Sequence, residues 1–244
     1  MHGVRNRFKT PEGSYQLVGE RPISISFNYQ RCTRLALAYL QGGQEEGQWI
    51  IYNVGDSVHI ARHDATFKEP QRSLLVSNAG SRSGFPTCLD FAPAKDGTDT
   101  VIGLGDGQVV LLSLRAQLQA AAGAKPNIAC TLTPEAASES ARCTAVAWLP
   151  RSDGMFAAAF ASGSVYLYRK GSLFPDTSGS KFSLGLGSSS KASTTPAHSL
   201  ALSGGGVNDL APSPCGTRLA AACRDGAVRL VDVATGAVVG GFQS

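Results

Sequence analysis

The sequence predicts an all-β protein: small antiparallel sheets, repeated along the chain and stacked about a common axis as an incomplete β-propeller of three to four blades. Three observations predict it. One strand–turn–strand pattern recurs, at Thr87–Ser113, Cys143–Arg169 and Val207–Asp232. Each copy turns on a small polar residue followed by glycine: Asp106-Gly107, Ser162-Gly163 and Asp225-Gly226. Such pairs tolerate the positive φ of a tight hairpin. The residues beyond the turn then alternate. Val228, Leu230 and Asp232 point one way and Arg229 and Val231 the other, as in a strand. A helix would need a period of 3.6 and would resist these glycines. A repeat of the whole unit selects the propeller over a sandwich or barrel, because a two-faced blade must stack on its neighbours.

Residues 1–21 read as an N-terminal arm, with Lys9–Leu17 (KTPEGSYQL) a strand or packed segment. Residues 22–244 read as the partial propeller. A weaker copy of the unit comes first in it. Ile23–Phe27 is its expected first strand, and Trp49–His63 supplies the next two, turning at Gly55-Asp56. In the clear copies Phe91, Trp148 and Ala211 begin equivalent turns, with Pro93, Pro150 and Pro212 or Pro214 nearby. The turn glycines lie roughly 60 residues apart, against about 40–45 for a common propeller repeat. The surplus is placed in flexible insertions near 115–141 and 171–205. Arg115–Gly123 reads as a short helix. Thr177–Pro196, rich in Ser, Gly and Thr, reads as a disordered loop. Gly236–Phe242 reads as the last strand. End blades with no neighbour expose an apolar face and a strand edge, so the isolated chain is expected to associate.

Composition bounds the function. Hydrophobic residues make up 43% of the 244, with 28 glycines and few aromatics, which suits short strands and tight turns. The net charge of +4 is too small to imply nucleic-acid binding. The basic cluster Arg5, Arg7 and Lys9 reads as a solvated tail. There is no apolar signal-peptide core and no run near the ~20 apolar residues that span a bilayer. The expectation is therefore a soluble protein of the cytoplasm and/or nucleus, with no membrane partner. Cys32, Cys88, Cys130, Cys143, Cys215 and Cys223 form no C-x-x-C pair, which argues against zinc or dithiol chemistry. Cys88, Cys143 and Cys223 sit in apolar runs, where cysteine behaves as a small buried hydrophobe.

No motif carries catalysis, and neither cofactor nor metal is expected. Gly103–Gly107 (GLGDG) lacks the spacing and the following helix of a dinucleotide loop, and reads as a hairpin. Ser203–Gly206 lacks the lysine of a phosphate loop. His59 and His63 would share a helix face, but on a strand they stand roughly 13 Å apart. His2 and His198 fall in segments read as flexible. Glu45-Glu46 lies in a polar hairpin connection, and G-x-S-x-G is absent. Trp49 and Trp148 are candidate binding anchors, with core packing between blades the plainer reading.

These segments resemble one WD-repeat family, that of WD repeat-containing protein 20, the dystrophia myotonica WD-repeat protein and the fungal catabolite-repression protein creC. The similar stretches are KTPEGSYQL, Ile50–Ala61, Arg142–Tyr168 with its Trp148-Leu149-Pro150 turn, and Gly205–Asp232. The resemblance implies a WD-type propeller without catalytic groups. It also implies a regulatory subunit that binds and activates a ubiquitin-specific protease, alone or with a second WD-repeat protein. Asp106 and Asp225 match the buried Asp of the family's blade turn, while Ser162 replaces it. The Trp-Asp pair becomes Val231-Asp232 and Tyr168-Arg169, and no Gly-His pair precedes the blades. The alternative is a substrate receptor of a cullin-type ubiquitin ligase or another protein-interaction scaffold, but Val231–Ala234 lacks the Trp and Arg of the ligase class.

Overall fold

A computed structural model describes residues 7–10, 13–16, 33–64, 70–76, 84–121, 123–134, 142–173 and 195–243. The chain divides into two compact units, Met1–Arg31 and Cys32–Ser244. The sequence reading set the end of the arm at residue 21. In the first unit β1 (Arg7–Thr10) and β2 (Gly13–Gln16) form an antiparallel hairpin.

The second unit contains four four-stranded antiparallel sheets among its described residues, each laid out in chain order. The first blade is β3 (Leu35–Leu40), β4 (Gly47–Val54), β5 (Ser57–Arg62) and β6 (Arg72–Leu75). The second is β7 (Pro86–Phe91), β8 (Thr100–Leu104), β9 (Val109–Leu112) and β10 (Ile128–Leu132). The third is β11 (Cys143–Trp148), β12 (Met155–Phe160), β13 (Ser164–Arg169) and β14 (His198–Ala201). The fourth is β15 (Val207–Pro212), β16 (Arg218–Cys223), β17 (Ala227–Asp232) and β18 (Val238–Gln243). The first strands β3, β7, β11 and β15 pack side by side. They are the inner strands of an incomplete propeller.

The apolar core is three seams, one between each pair of neighbouring blades. Adjacent residues of one strand serve opposite seams, because side chains alternate. On β9, Leu112 faces the first blade and Leu111 the third, both essentially inaccessible. Each such leucine stabilises the fold by about 1.5–3 kcal/mol. In β12, Ala158 serves the second blade and its neighbours Ala157 and Ala159 the fourth. Polar bonds cross the seams too. Asn53 Nδ2 donates to the Pro86 carbonyl at 3.2 Å, and the Thr87 hydroxyl to the Cys143 carbonyl at 2.7 Å.

All four turns between second and third strands rest on a left-handed glycine: Gly55 (φ 60°), Gly107 (86°), Gly163 (93°) and Gly226 (81°). The pairing fixes the alignment of the copies. Phe91, Trp148 and Pro212 occupy equivalent places, so the fourth copy begins its turn one residue later than the expected Ala211.

Several expectations change. The blades have four strands where the repeat suggested three. The first blade opens with Leu35–Leu40, and the expected Ile23–Phe27 lies outside the described residues. The short helix expected at Arg115–Gly123 is α1 (Leu114–Gln119), and the stretch 115–141 also holds β10, which was not expected. The stretch 171–205 holds β14 and most of α2 (Lys170–Leu173). Residues 135–141 and 174–194 are not among those described, so most of Thr177–Pro196 is not either. Ser113 caps α1 by accepting from Ala116 N. The buried Gln117 amide then clamps Asn127 by a pair of bonds of 2.8 and 3.0 Å, which returns the chain to the outer edge of its sheet. His198 lies in β14, where Nε2 is 3.1 Å from the Ala234 carbonyl. The last strand begins two residues after Gly236.

At Gly163 a Cβ atom would lie 1.5 Å from the Ser203 carbonyl oxygen. Gly163→Ala adds left-handed strain to that overlap and is expected to cost at least ~2 kcal/mol. Gly204→Ala, which meets nothing within 4 Å, should stay within ~0.5 kcal/mol of the parent. Urea midpoints of the two variants check the difference.

Candidate partner-binding surface

The six blade-turn residues singled out in the sequence occupy one rim of the propeller. Each turn closes with the same short bond. The Asp106 carboxylate accepts from Gln108 N at 3.2 Å, the Ser162 hydroxyl from Ser164 N at 3.4 Å and the Asp225 carboxylate from Ala227 N at 3.1 Å. This bond explains the small polar residue before Gly107, Gly163 and Gly226. The buried aspartate implied by the family resemblance is not found. Asp106 is half-buried and Asp225 is exposed. With no histidine to meet it, Asp225 pairs instead with Arg229 at 2.7 and 3.0 Å, which draws its carboxyl down to about 2. These residues shape the rim and gather no reactive groups.

The opposite rim carries the turns between first and second strands. Here the second and third blades enclose an open cleft of about 1030 Å³. Its inner wall is a clamp between blades. The Asp90 carboxylate at the end of β7 accepts from Phe91 N at 2.8 Å and from Trp148 N, across the seam, at 2.7 Å. Burial raises the Asp90 pKa, and these two bonds oppose the rise. Lys170 forms the floor. Its ammonium donates to Asp96 and to the Thr98 carbonyl and stands 5.8 Å from the Trp148 ring centre. The lip belongs to the turn after Trp148, where the Ser152 hydroxyl accepts from Met155 N and donates to the Leu149 carbonyl. Arg151 in this turn has φ 55° and is exposed, as are Asp153, Pro150 and, across the cleft, Lys95. The fourth blade's turn adjoins. Gly216 approaches the Pro150 carbonyl so closely that a methyl group there would overlap it. The rim is thus continuous over three blades, with the paired Lys170 ammonium at the cleft floor and charged lips.

Trp148 and Trp49 do not serve as exposed anchors. They are 7% and 3% accessible and belong to seams. Trp148 packs edge-on to Phe156 at 5.2 Å. Trp49 donates from its indole to the Glu45 carbonyl. His59 lies on β5, 2.9 Å from the Ser73 hydroxyl, and His63 follows the strand. Among the described residues no group of three or more His, Cys, Asp or Glu side chains is placed to hold a metal ion. Gly103–Gly107 is a hairpin: Leu104 N bonds to the Gln108 carbonyl and Gly107 N to that of Leu104.

Sequence reasoning did not single out Asp90, Asp96 or Lys170. Asp90 and Trp148 are 58 residues apart in the chain, and the other copies have no acid in that place. Cys88, Cys143 and Cys223 are buried in strands. Cys215 differs. It is exposed on this rim, and the hydroxyls of Ser213 and Thr217, at 3.3 and 3.0 Å, lower its pKa to about 7.

Residues 190–232 match the model of the WD domain, G-beta repeat. The matched segment is one WD repeat. Over 255 aligned residues it is 24% identical to WD repeat-containing protein 20 of Mus musculus, a match covering 99% of this chain and 43% of that protein. The chain thus spans less than half the length of this relative. It also shares its fold with a chain in a crystal structure of the mitotic checkpoint complex, with a TM-score of 0.54 and 14% identity, over 80% of this chain and 48% of the other.

Alkylation of Cys215 by iodoacetamide is expected to rise with pH about a midpoint near 7. Replacing Ser213 by Ala and Thr217 by Val should move the midpoint up toward the ordinary thiol range. An unmoved midpoint would mean that the two hydroxyls do not set it.

Proposed function

We propose that this WD-repeat chain is a non-catalytic scaffold: a regulatory subunit that binds and activates a ubiquitin-specific protease in the cytoplasm or nucleus. The observation that carries the reading is the similarity to WD repeat-containing protein 20 along nearly the whole chain, on a fold built to present rims and loops. Loops on a rigid scaffold are where proteins place binding residues. The cleft between the second and third blades suits a protein loop, with apolar wall groups such as Phe91 and Pro93, the paired Lys170 at its floor, and Lys95, Arg151 and Asp153 on the lips. A subunit without reactive groups activates an enzyme by binding its competent conformation more tightly than the idle one.

The test mixes the chain with a ubiquitin-specific protease and follows cleavage of a fluorogenic ubiquitin substrate. The expected result is a co-purifying complex and a saturable rise in kcat. A double variant, Lys95→Glu with Arg151→Glu, is expected to weaken the complex at least tenfold with its thermal midpoint unchanged. No complex and no rate change with the parent chain would reject the function. Equal binding by the variant would reject the cleft as its seat.

A further inference from the structure

Cys88 and Cys143 stand on the inner strands of neighbouring blades, β7 and β11, and meet inside their seam with sulfurs 3.8 Å apart. Both are free thiols, 3% and 0% accessible. No C-x-x-C spacing marks the pair, because its members lie 55 residues apart in the chain and meet only across the seam.

The fold does not require cysteine in either place. Strand register aligns Cys88 with Ala36, Ala145 and Asp209, and Cys143 with Pro86 and Val207. At the other two seams the same places hold Ala36 and Pro86, and Ala145 and Val207, with no reactive group. Gly103, paired with Cys88 across the sheet, supplies the room. A methyl group there would overlap both sulfurs. Its backbone is not left-handed, so no turn demands glycine. The other blades hold Ile51, Ala159 and Ala222 in that place. We propose that Cys88 and Cys143 form a redox site, at which a small peroxide oxidises the two thiols to a disulfide that staples the second blade to the third.

A disulfide holds its sulfurs at about 2.05 Å, so from 3.8 Å each has to move by roughly 0.9 Å. Cys88 is the attacking sulfur. Burial disfavours its thiolate, but hydrogen bonds outweigh burial, that from the Cys143 thiol first, and its pKa is lowered. At Cys143 burial prevails and the pKa rises. The Cys88 sulfur takes one oxygen of hydrogen peroxide. The O–O bond breaks, and the leaving hydroxide departs as water with the proton that Cys88 gives up. The Cys143 sulfur then attacks the resulting sulfenic acid. The S–S bond forms, the S–O bond breaks, and the hydroxyl leaves as a second water with the Cys143 proton. Two thiols and one peroxide thus become one disulfide and two waters. The oxidant is a peroxide because the thiols are too buried for a bulky disulfide to reach, whereas a molecule of two oxygens enters when the seam opens locally. Asp90 already clamps the same two strands toward the opposite rim through Trp148. The disulfide adds a covalent tie that spans 55 residues of chain and stabilises the fold by restricting the unfolded state. It is independent of what the cleft binds.

The test uses the full 244-residue chain with Cys215→Ser, which removes an exposed thiol outside the seam. The protein is treated with hydrogen peroxide at neutral pH. Remaining thiols are capped with N-ethylmaleimide in urea, and the digest is read by mass spectrometry. The expected product is a cross-linked pair of peptides holding Cys88 and Cys143, two hydrogens lighter than its parts. The urea midpoint should rise on oxidation and return with dithiothreitol. Cys88→Ala and Cys143→Ala, each added alone, should abolish the rise. Recovery of both cysteines in capped form overturns the proposal, as does sulfinic or sulfonic acid at Cys88 in place of the disulfide. So does a peroxide-induced rise that persists in either variant.

Discussion

Every blade depends on one constraint: a strand sends alternate side chains to opposite sides, and here both sides must be buried. No blade holds a core of its own. Leu111 and Leu112 illustrate the consequence, as neighbours in sequence that serve different seams. A shift of one residue in pairing would exchange the two seams throughout the blade. The left-handed glycines fix that register at the turns. The bonds from Asn53 to Pro86 and from Thr87 to Cys143 fix it between blades.

The parts of this fold that a sequence displays are those where backbone geometry restricts the residue. Positive φ at Gly107, Gly163 and Gly226 leaves few other choices, so the turns and their flanking strands were legible. The outer strands of the first three blades were not. β6, β10 and β14 have four or five residues and follow long connections, and pairing to an already formed sheet defines them more than their own pattern does. β3 (LALAYL) was missed for another reason. Its outward positions Leu35, Leu37 and Tyr39 are as apolar as its buried ones, so it lacks the polar contrast that marks a half-buried strand.

The candidate surface was less legible. A clamp such as Asp90 to Trp148 exists only after two blades have stacked, and no local pattern encodes it. Trp148 drew attention as a residue type, yet its role is to fill a seam, with the charged lip of the cleft supplied by the turn that follows it. The polar residues before the turn glycines were visible because their bond spans only two residues. The fold therefore separates two tasks. Seams take the large apolar side chains, and the rims keep charged groups and short turns free to vary without disturbing the stack.

That stacking is the central claim, and the two tryptophans of the chain can test it directly. Trp49 reports the seam between the first and second blades and Trp148 the seam between the second and third. In variants that keep one tryptophan each, with phenylalanine in place of the other, urea unfolding is followed by fluorescence and by circular dichroism. If the blades stand only through shared seams, each variant's fluorescence transition coincides with its own loss of β-structure. A fluorescence change well separated from the loss of β-structure in either variant would contradict the account, because it would mean that blades persist after losing their neighbours.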